Sequence, residues 1–126
     1  MASPSEHATI LVVEDDRPLR EFYRTTLRFA GYTVVAVEDG MDALRWLEAE
    51  RPAAILLDLS LIRLSGRDLL SELRARDATR HIPVVVVTGE RRTSNLTDSD
   101  IVCVLRKPVT GGALSDAVER CLKLNL

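Results

Sequence analysis

Five short runs of almost unbroken apolar residues, rich in β-branched side chains, constrain this chain more than any other feature. They are TILVV at 9–13, TVVAV at 33–37, AAILL at 53–57, PVVVV at 83–87 and IVCVL at 101–105. A strand covered on one face alternates apolar and polar residues, whereas a strand covered on both faces reads apolar throughout, as in parallel sheets. The intervening stretches carry apolar residues at helical spacing. Leu19, Phe22, Tyr23, Thr26, Leu27 and Ala30 form one such stripe, with Asp16 as N-cap, Pro18 in the first turn and Gly31 ending the helix. Leu44 and Leu47 carry a second helix, and Leu69, Leu70 and Leu73 a third. Leu114, Ala117, Val118, Cys121 and Leu122 carry the last. The segment GERRTSNLTDSD at 89–100 sits where a fourth helix belongs between the last two strands. It offers only Leu96 to a core, so a shortened or irregular helix is expected there. Strands alternating with helices through short links predict an α/β, doubly wound parallel sheet.

With 126 residues the chain suits one domain with a real core. The expected organisation is a flexible leader at 1–8, a domain at 9–123 and a short tail at 124–126. Apolar residues at 46% and charged residues at 29% argue against disorder. The formal net charge of −2, with scattered Lys and Arg, gives no basic face for nucleic acid or an anionic membrane. No apolar run approaches the roughly 20 residues of a spanning helix, and MASPSEHA lacks a signal-peptide core, so a cytoplasmic location is expected. Cys103 and Cys121 lie in apolar contexts without metal-type spacing, which reads as buried, reduced thiols. His7 and His81 have no companion that would make a catalytic or metal site, and TGG at 110–112 reads as an irregular start to the last helix.

The chemistry gathers at the strand ends. Ligands of open parallel sheets bind beyond the carboxyl ends of the strands, near the point where strand order reverses. The first run ends in Glu14, Asp15 and Asp16, the third in Asp58, the fourth in Thr88 and Gly89, and the fifth in Lys107 and Pro108. Crowded carboxylates repel one another and resist leaving water, so a cation that neutralises them explains their arrangement. An oxygen-rich site of this kind suits a hard divalent ion, Mg2+ above all. Each residue also has a plain structural role. Asp16 reads as a helix cap and is assigned that role; Asp58 alone could end a strand in solvent, and Lys-Pro alone could be a turn. Their occurrence in order at four successive strand ends favours a shared site.

Taken together, LVVEDD at 11–16, LLDLSL at 56–61 followed by Gly66, IPVVVVTG at 82–89 and RKP at 106–108 resemble the receiver domain of the two-component response-regulator family. The similarity spans about residues 9–123. It implies a flavodoxin-like, five-stranded parallel sheet in the order 2-1-3-4-5. It also implies transfer of a phosphoryl group from a histidine kinase or a histidine phosphotransfer protein onto one aspartate, in a Mg2+-dependent reaction. By position, Asp58 would be the phosphoacceptor. Asp15 would ligate Mg2+ directly, Glu14 would act beside it through water, and the Ser60 backbone carbonyl would complete the protein ligands. Thr88 would hydrogen-bond the phosphoryl group, Gly89 would contact it and keep the approach to Asp58 open, and Lys107 would pair with its charge. The resemblance also implies a cis Lys107–Pro108 peptide.

The chain departs from the family pattern in three places. Ile62 stands where a proline is common after the acceptor. Val104 replaces the usual Tyr or Phe three residues before the lysine, and the 88–107 interval is short. Val104 is too short and stiff about its one side-chain torsion to act as the family's aromatic switch. Ordering of segment 89–100 around Thr88 and Glu90, or of the 59–66 loop, is expected to carry the signal instead. With no output domain after residue 126, that signal would leave through protein contacts, unless the chain is part of a longer one. Two other classes of function compete: an interaction-only module of the same fold, and a Mg2+-dependent phosphatase. Retention of Glu14, Asp15, Asp58, Thr88 and Lys107 speaks against the first. The second would call for an acid two residues after the nucleophile, where Ser60 stands.

Overall fold

Each of the five apolar runs becomes a strand, and each amphipathic stretch before, between or after them whose placement is described becomes a helix. The computed structural model describes residues 8–59, 65–89 and 102–124. In chain order these form β1 (Thr9–Val13), α1 (Arg17–Phe29), β2 (Thr33–Val37), α2 (Gly40–Leu47), β3 (Ala54–Asp58), α3 (Gly66–Ala75), β4 (Val84–Thr88), β5 (Val102–Arg106) and α4 (Gly111–Leu124). All strand pairs are parallel and the sheet order is β2-β1-β3-β4-β5, the order that the family resemblance implies. The last three strands run one residue further than the apolar runs. The difference matters, because Asp58 and Thr88 are then the terminal rungs of β3 and β4, paired in register with Val87 and Arg106. Their backbones are fixed by the sheet.

The sheet is covered on both faces, which is why its strands are apolar on both sides. On one face Leu11, Val13, Ile55, Leu57, Val84 and Val86 meet Ala43 and Leu47 of α2 and Leu69, Leu70 and Leu73 of α3. On the other, Ile10, Val12, Leu56, Val85 and Val87 meet Tyr23 and Leu27 of α1 and Leu114, Ala117, Val118 and Cys121 of α4. Burial of each large aliphatic side chain contributes about 1.5–3 kcal/mol relative to exposure, so the two layers clamp the central strands and hold their carboxyl ends in line.

Helix boundaries follow local chemistry. Asp16 caps α1, its carboxylate accepting from the Leu19 N–H at 3.0 Å, with a proline in the first turn. Gly31, at φ +104°, closes the helix, with the Gly31 N–H on the Arg28 carbonyl and the Tyr32 N–H on the Leu27 carbonyl. Two readings of the stripes need correction. Phe22 is 40% exposed and Ala30 lies on the surface, so the buried face of α1 is narrower than the periodicity suggests. The last helix also starts regularly, because Thr110 caps it through its hydroxyl, 3.1 Å from the Ala113 N–H. The expected irregular element at 89–100 lies, apart from Gly89, outside the described residues, as do residues 1–7 of the expected 1–8 leader, residues 125–126 of the expected tail, Ser60 and Ile62.

Candidate phosphoryl and metal site

Between β1 and β3 the direction of strand order reverses, and the carboxyl ends of those two strands carry Glu14–Asp15 and Asp58. One carboxylate oxygen from each of Glu14, Asp15 and Asp58 can be chosen so that all lie within 4.8 Å of one another. Glu14 is fully buried, Asp58 is 3% exposed and Asp15 is half-buried at the mouth. Lys107, at the turn after β5, reaches across the end of the sheet. Its Nζ donates to Asp58 Oδ2 at 3.0 Å and stands 3.9 Å from Glu14 Oε1. The Lys107 N–H donates to the Thr88 carbonyl at 2.9 Å, tying the ends of β4 and β5 together. The Lys107–Pro108 peptide is cis, as the resemblance implies.

The structure thus brings Glu14, Asp15, Asp58 and Lys107 into one cluster. It places Thr88, fully buried, at the neighbouring strand end, with exposed Gly89 next to it. A Cβ at Gly89 would meet no described atom within 4 Å, so the space there is open. Asp16 stands apart as the α1 cap, though its N–H donates to Glu14 Oε2 at 3.2 Å.

Arg20 and the physical role of the motif's Gly66 escape a reading of the sequence. Arg20, one turn into α1, donates from one guanidinium nitrogen to the carbonyls of Glu14 at 3.0 Å and Asp15 at 3.4 Å. It pins the acidic loop by its backbone and leaves the carboxylates turned to the site. Its only signal in the sequence is its place one turn beyond the Asp16 cap. Gly66 is the second. A Cβ there would lie 2.4 Å from the Leu59 Cα and 2.5 Å from the Asp58 carbonyl oxygen, so α3 can start against the end of β3 only with glycine. The Gly66 N–H also donates to the Leu59 carbonyl at 3.2 Å. Gly66→Ala is expected to destabilise the fold by about 1–3 kcal/mol, since backbone atoms on both sides must shift. Urea denaturation measures this, and a loss below about 0.5 kcal/mol would show that the approach is not tight.

The electrostatics are those of a cluster short of positive charge. Burial, then the hydrogen bond with Asp58, pushes the Glu14 carboxyl up to about 8, although the Asp16 N–H and Lys107 pull the other way. Burial works against the Lys107 ammonium, but its hydrogen bond to Asp58 and the charges of Asp58, Glu14 and Asp15 outweigh it and raise its pKa. The Tyr23 phenol of α1 is pushed above its ordinary value by burial and by the charges of Glu14, Asp58 and Asp16, so it stays neutral beside the cluster. Glu14 Oε1 is buried and, among the described residues, accepts no hydrogen bond. An orphaned, buried carboxylate oxygen within reach of two further carboxylates fits a bound cation, and the all-oxygen donor set fits a hard one such as Mg2+.

Glu14 makes the metal-free protein pH-sensitive. Below its unfolded value of about 4.5 the carboxyl is protonated in both states; between there and about 8 only the folded state holds the proton. Rising pH across that window therefore removes stability, and the loss is complete above the folded value. With EDTA present, the melting temperature of Glu14→Gln should gain on that of the parent from pH 5 to pH 9. A constant difference between the two would refute the assignment.

A parallel, doubly wound sheet with a carboxylate cluster and a lysine at its switch point defines an α/β protein whose site can gather a hard cation and an anionic group side by side. The family model for the response regulator receiver domain matches residues 10–119, and the chain belongs to that family, the receiver domains of two-component systems. It is 40% identical over 85 residues to the response regulator MprA of Mycobacterium ulcerans (strain Agy99), covering 68% of this chain and 36% of that protein. The matched stretch thus spans about a third of that relative. The fold is similar to the receiver domain of a signal transduction histidine kinase from Syntrophus aciditrophicus, with a TM-score of 0.84, 28% identity and coverage of 92% of this chain and 90% of that one. It is also similar to the receiver domain of the sensor histidine kinase PA1611 from Pseudomonas aeruginosa PAO1, which has a magnesium ion coordinated in its active-site cleft. There the TM-score is 0.82, with 30% identity and coverage of 92% and 98%. Among the described residues no helix is long and apolar enough to cross a membrane.

Proposed function

We propose that the chain is a phosphoacceptor receiver in which Asp58 takes a phosphoryl group from the phosphohistidine of a histidine kinase or histidine phosphotransfer protein. The observation that carries this reading is the buried Asp58 carboxylate, held at a strand end 3.0 Å from the Lys107 ammonium and beside two further carboxylates. In the transfer an Asp58 oxygen forms the new O–P bond as the P–N bond to the donor imidazole breaks, its electron pair staying on the imidazole. Such a step asks the protein for in-line positioning and for neutralisation of oxygen charge. Asp58 is positioned by its rung in the sheet and by Gly66 behind it. The Lys107 ammonium, already bound to Asp58 Oδ2, can follow the negative charge to the phosphoryl oxygens. Thr88 contributes its hydroxyl and Gly89 its N–H from the end of β4. Glu14, Asp15, Asp58 and the Ser60 carbonyl would hold Mg2+, which when bound supplies further charge neutralisation at the phosphoryl group.

The magnesium ion in the similar PA1611 receiver supports that last assignment. The natural setting is the cytoplasm, where the phosphodonors of two-component systems act, and the phosphorylated state signals through contacts with other proteins. Incubation with acetyl phosphate, a small-molecule donor, tests the function directly. Intact mass should rise by one phosphoryl group with Mg2+ and stay unchanged with EDTA. An unchanged mass with both acetyl phosphate and a phosphorylated histidine donor would reject the phosphoacceptor reading in favour of an interaction-only module.

A further inference from the structure

Away from the phosphoryl site, the two cysteines of the chain meet. Cys103 is the second residue of β5, in register with Val85, and Cys121 lies on α4, which packs over that face of the sheet. Their sulfur atoms are 2.6 Å apart, although 18 positions separate them in sequence. Both are free thiols in this structure, Cys103 half-buried and Cys121 buried. Sequence spacing gave no sign of the pairing, because it arises from the packing of a helix on an edge strand. Two thiol sulfurs in direct contact are placed so that a small movement could bring them to disulfide bonding distance.

We propose that Cys103 and Cys121 are an oxidation site at which a peroxide closes an intramolecular disulfide that staples α4 to β5. The half-buried Cys103 sulfur attacks the peroxide first. Its S–H becomes S–OH as the O–O bond breaks, and water leaves when hydrogen peroxide is the oxidant. The Cys121 sulfur then attacks the Cys103 sulfur, the S–O bond breaks, and the departing hydroxide takes the Cys121 proton to leave as a second water. The order follows from access and from the burial of Cys121. Burial, then the contact with Cys103, pushes the Cys121 thiol up to about 12, so it is a poor first nucleophile toward an oxidant in solution but stands beside the Cys103 sulfur. In a reducing compartment such a bridge would form only under oxidant and reopen afterwards. Cys103 is four residues before Lys107 on the same strand and turn, so the staple would fix the strand that carries the ammonium of the phosphoryl site.

Treatment of the full chain with hydrogen peroxide, followed by non-reducing digestion and mass mapping, tests the proposal. The expected product is a monomer that has lost two hydrogens, with the peptides holding residues 103 and 121 cross-linked. Its melting temperature should rise on the order of 10 °C and return on reduction. Cys121→Ala should leave Cys103 as a sulfenic acid trapped by dimedone, whereas Cys103→Ala should leave Cys121 unmodified at the same peroxide dose. A mainly disulfide-linked dimer, or a parent that keeps both thiols while Cys103 in Cys121→Ala oxidises readily, would overturn the proposal. So would oxidation of Cys121 in Cys103→Ala at the rate of Cys103 in Cys121→Ala.

Discussion

Mg2+ at a hundred times its dissociation constant should stabilise this protein by about 2.7 kcal/mol, raising its melting temperature on the order of 10 °C. The expectation rests on the native cluster of Glu14, Asp15 and Asp58, which the unfolded chain cannot assemble. In the folded protein Lys107 is, among the described residues, the cation held against Glu14 and Asp58, and it stands 3.9 Å from the orphaned Glu14 oxygen. A divalent cation would supply the missing charge and release the proton that Glu14 otherwise holds. The stabilisation should therefore grow as pH rises toward about 8, where that proton is lost without metal. Asp15→Asn should abolish most of the response, because the half-buried Asp15 carboxylate lines the mouth of the cluster. Thermal melts in Mg2+ and in EDTA read this out. Equal melting in both, or an undiminished rise in Asp15→Asn, would remove the metal from the account.

Lys107→Ala should slow phosphoryl uptake from acetyl phosphate by roughly 10²- to 10³-fold, the scale on which loss of one preorganised charge-stabilising donor is felt. The ammonium contacts the acceptor carboxylate itself at 3.0 Å and is held above its ordinary pKa, so it is charged throughout the neutral range. Removing it also strips the buried Asp58 and Glu14 of the Lys107 charge, the nearest positive charge among the described residues. A fully buried pair broken this way would cost about 3–5 kcal/mol. Lys107 is partly in solvent, and screening reduces the loss to about 1–2 kcal/mol. Lys107→Arg should restore much of the stability and little of the rate, because a planar fork cannot occupy the same point. Uptake by Lys107→Ala within a few-fold of the parent would show that the lysine is structural only.

Much of this architecture was legible in the sequence. The five apolar runs marked the strands to within one residue because both faces of the sheet are covered, and Asp16 and Gly31 marked the ends of α1 by local capping chemistry. Glu14, Asp15, Asp58 and Lys107 could be expected to cluster because each follows or ends a strand, and the sheet brings these four together. What the sequence could not show depends on contacts across space. The role of Gly66 follows from the distance between a helix start and a strand end, and that of Arg20 from two carbonyls five and six residues earlier. The meeting of Cys103 and Cys121 follows from the lie of α4 on β5. Charge repulsion within the cluster was foreseen, but not that Glu14 would answer it by holding a proton.

The central claim is that Asp58 is the phosphoacceptor, and a covalent record of the modified residue tests it most directly. After reaction with acetyl phosphate and Mg2+, reduction with borohydride converts an aspartyl phosphate to homoserine, which peptide sequencing by mass spectrometry can place. Homoserine is expected at position 58 and nowhere else, with none formed in Asp58→Asn or in EDTA. Homoserine at Asp15 or another carboxylate of the parent, or phosphoryl uptake by Asp58→Asn equal to the parent's, would contradict it.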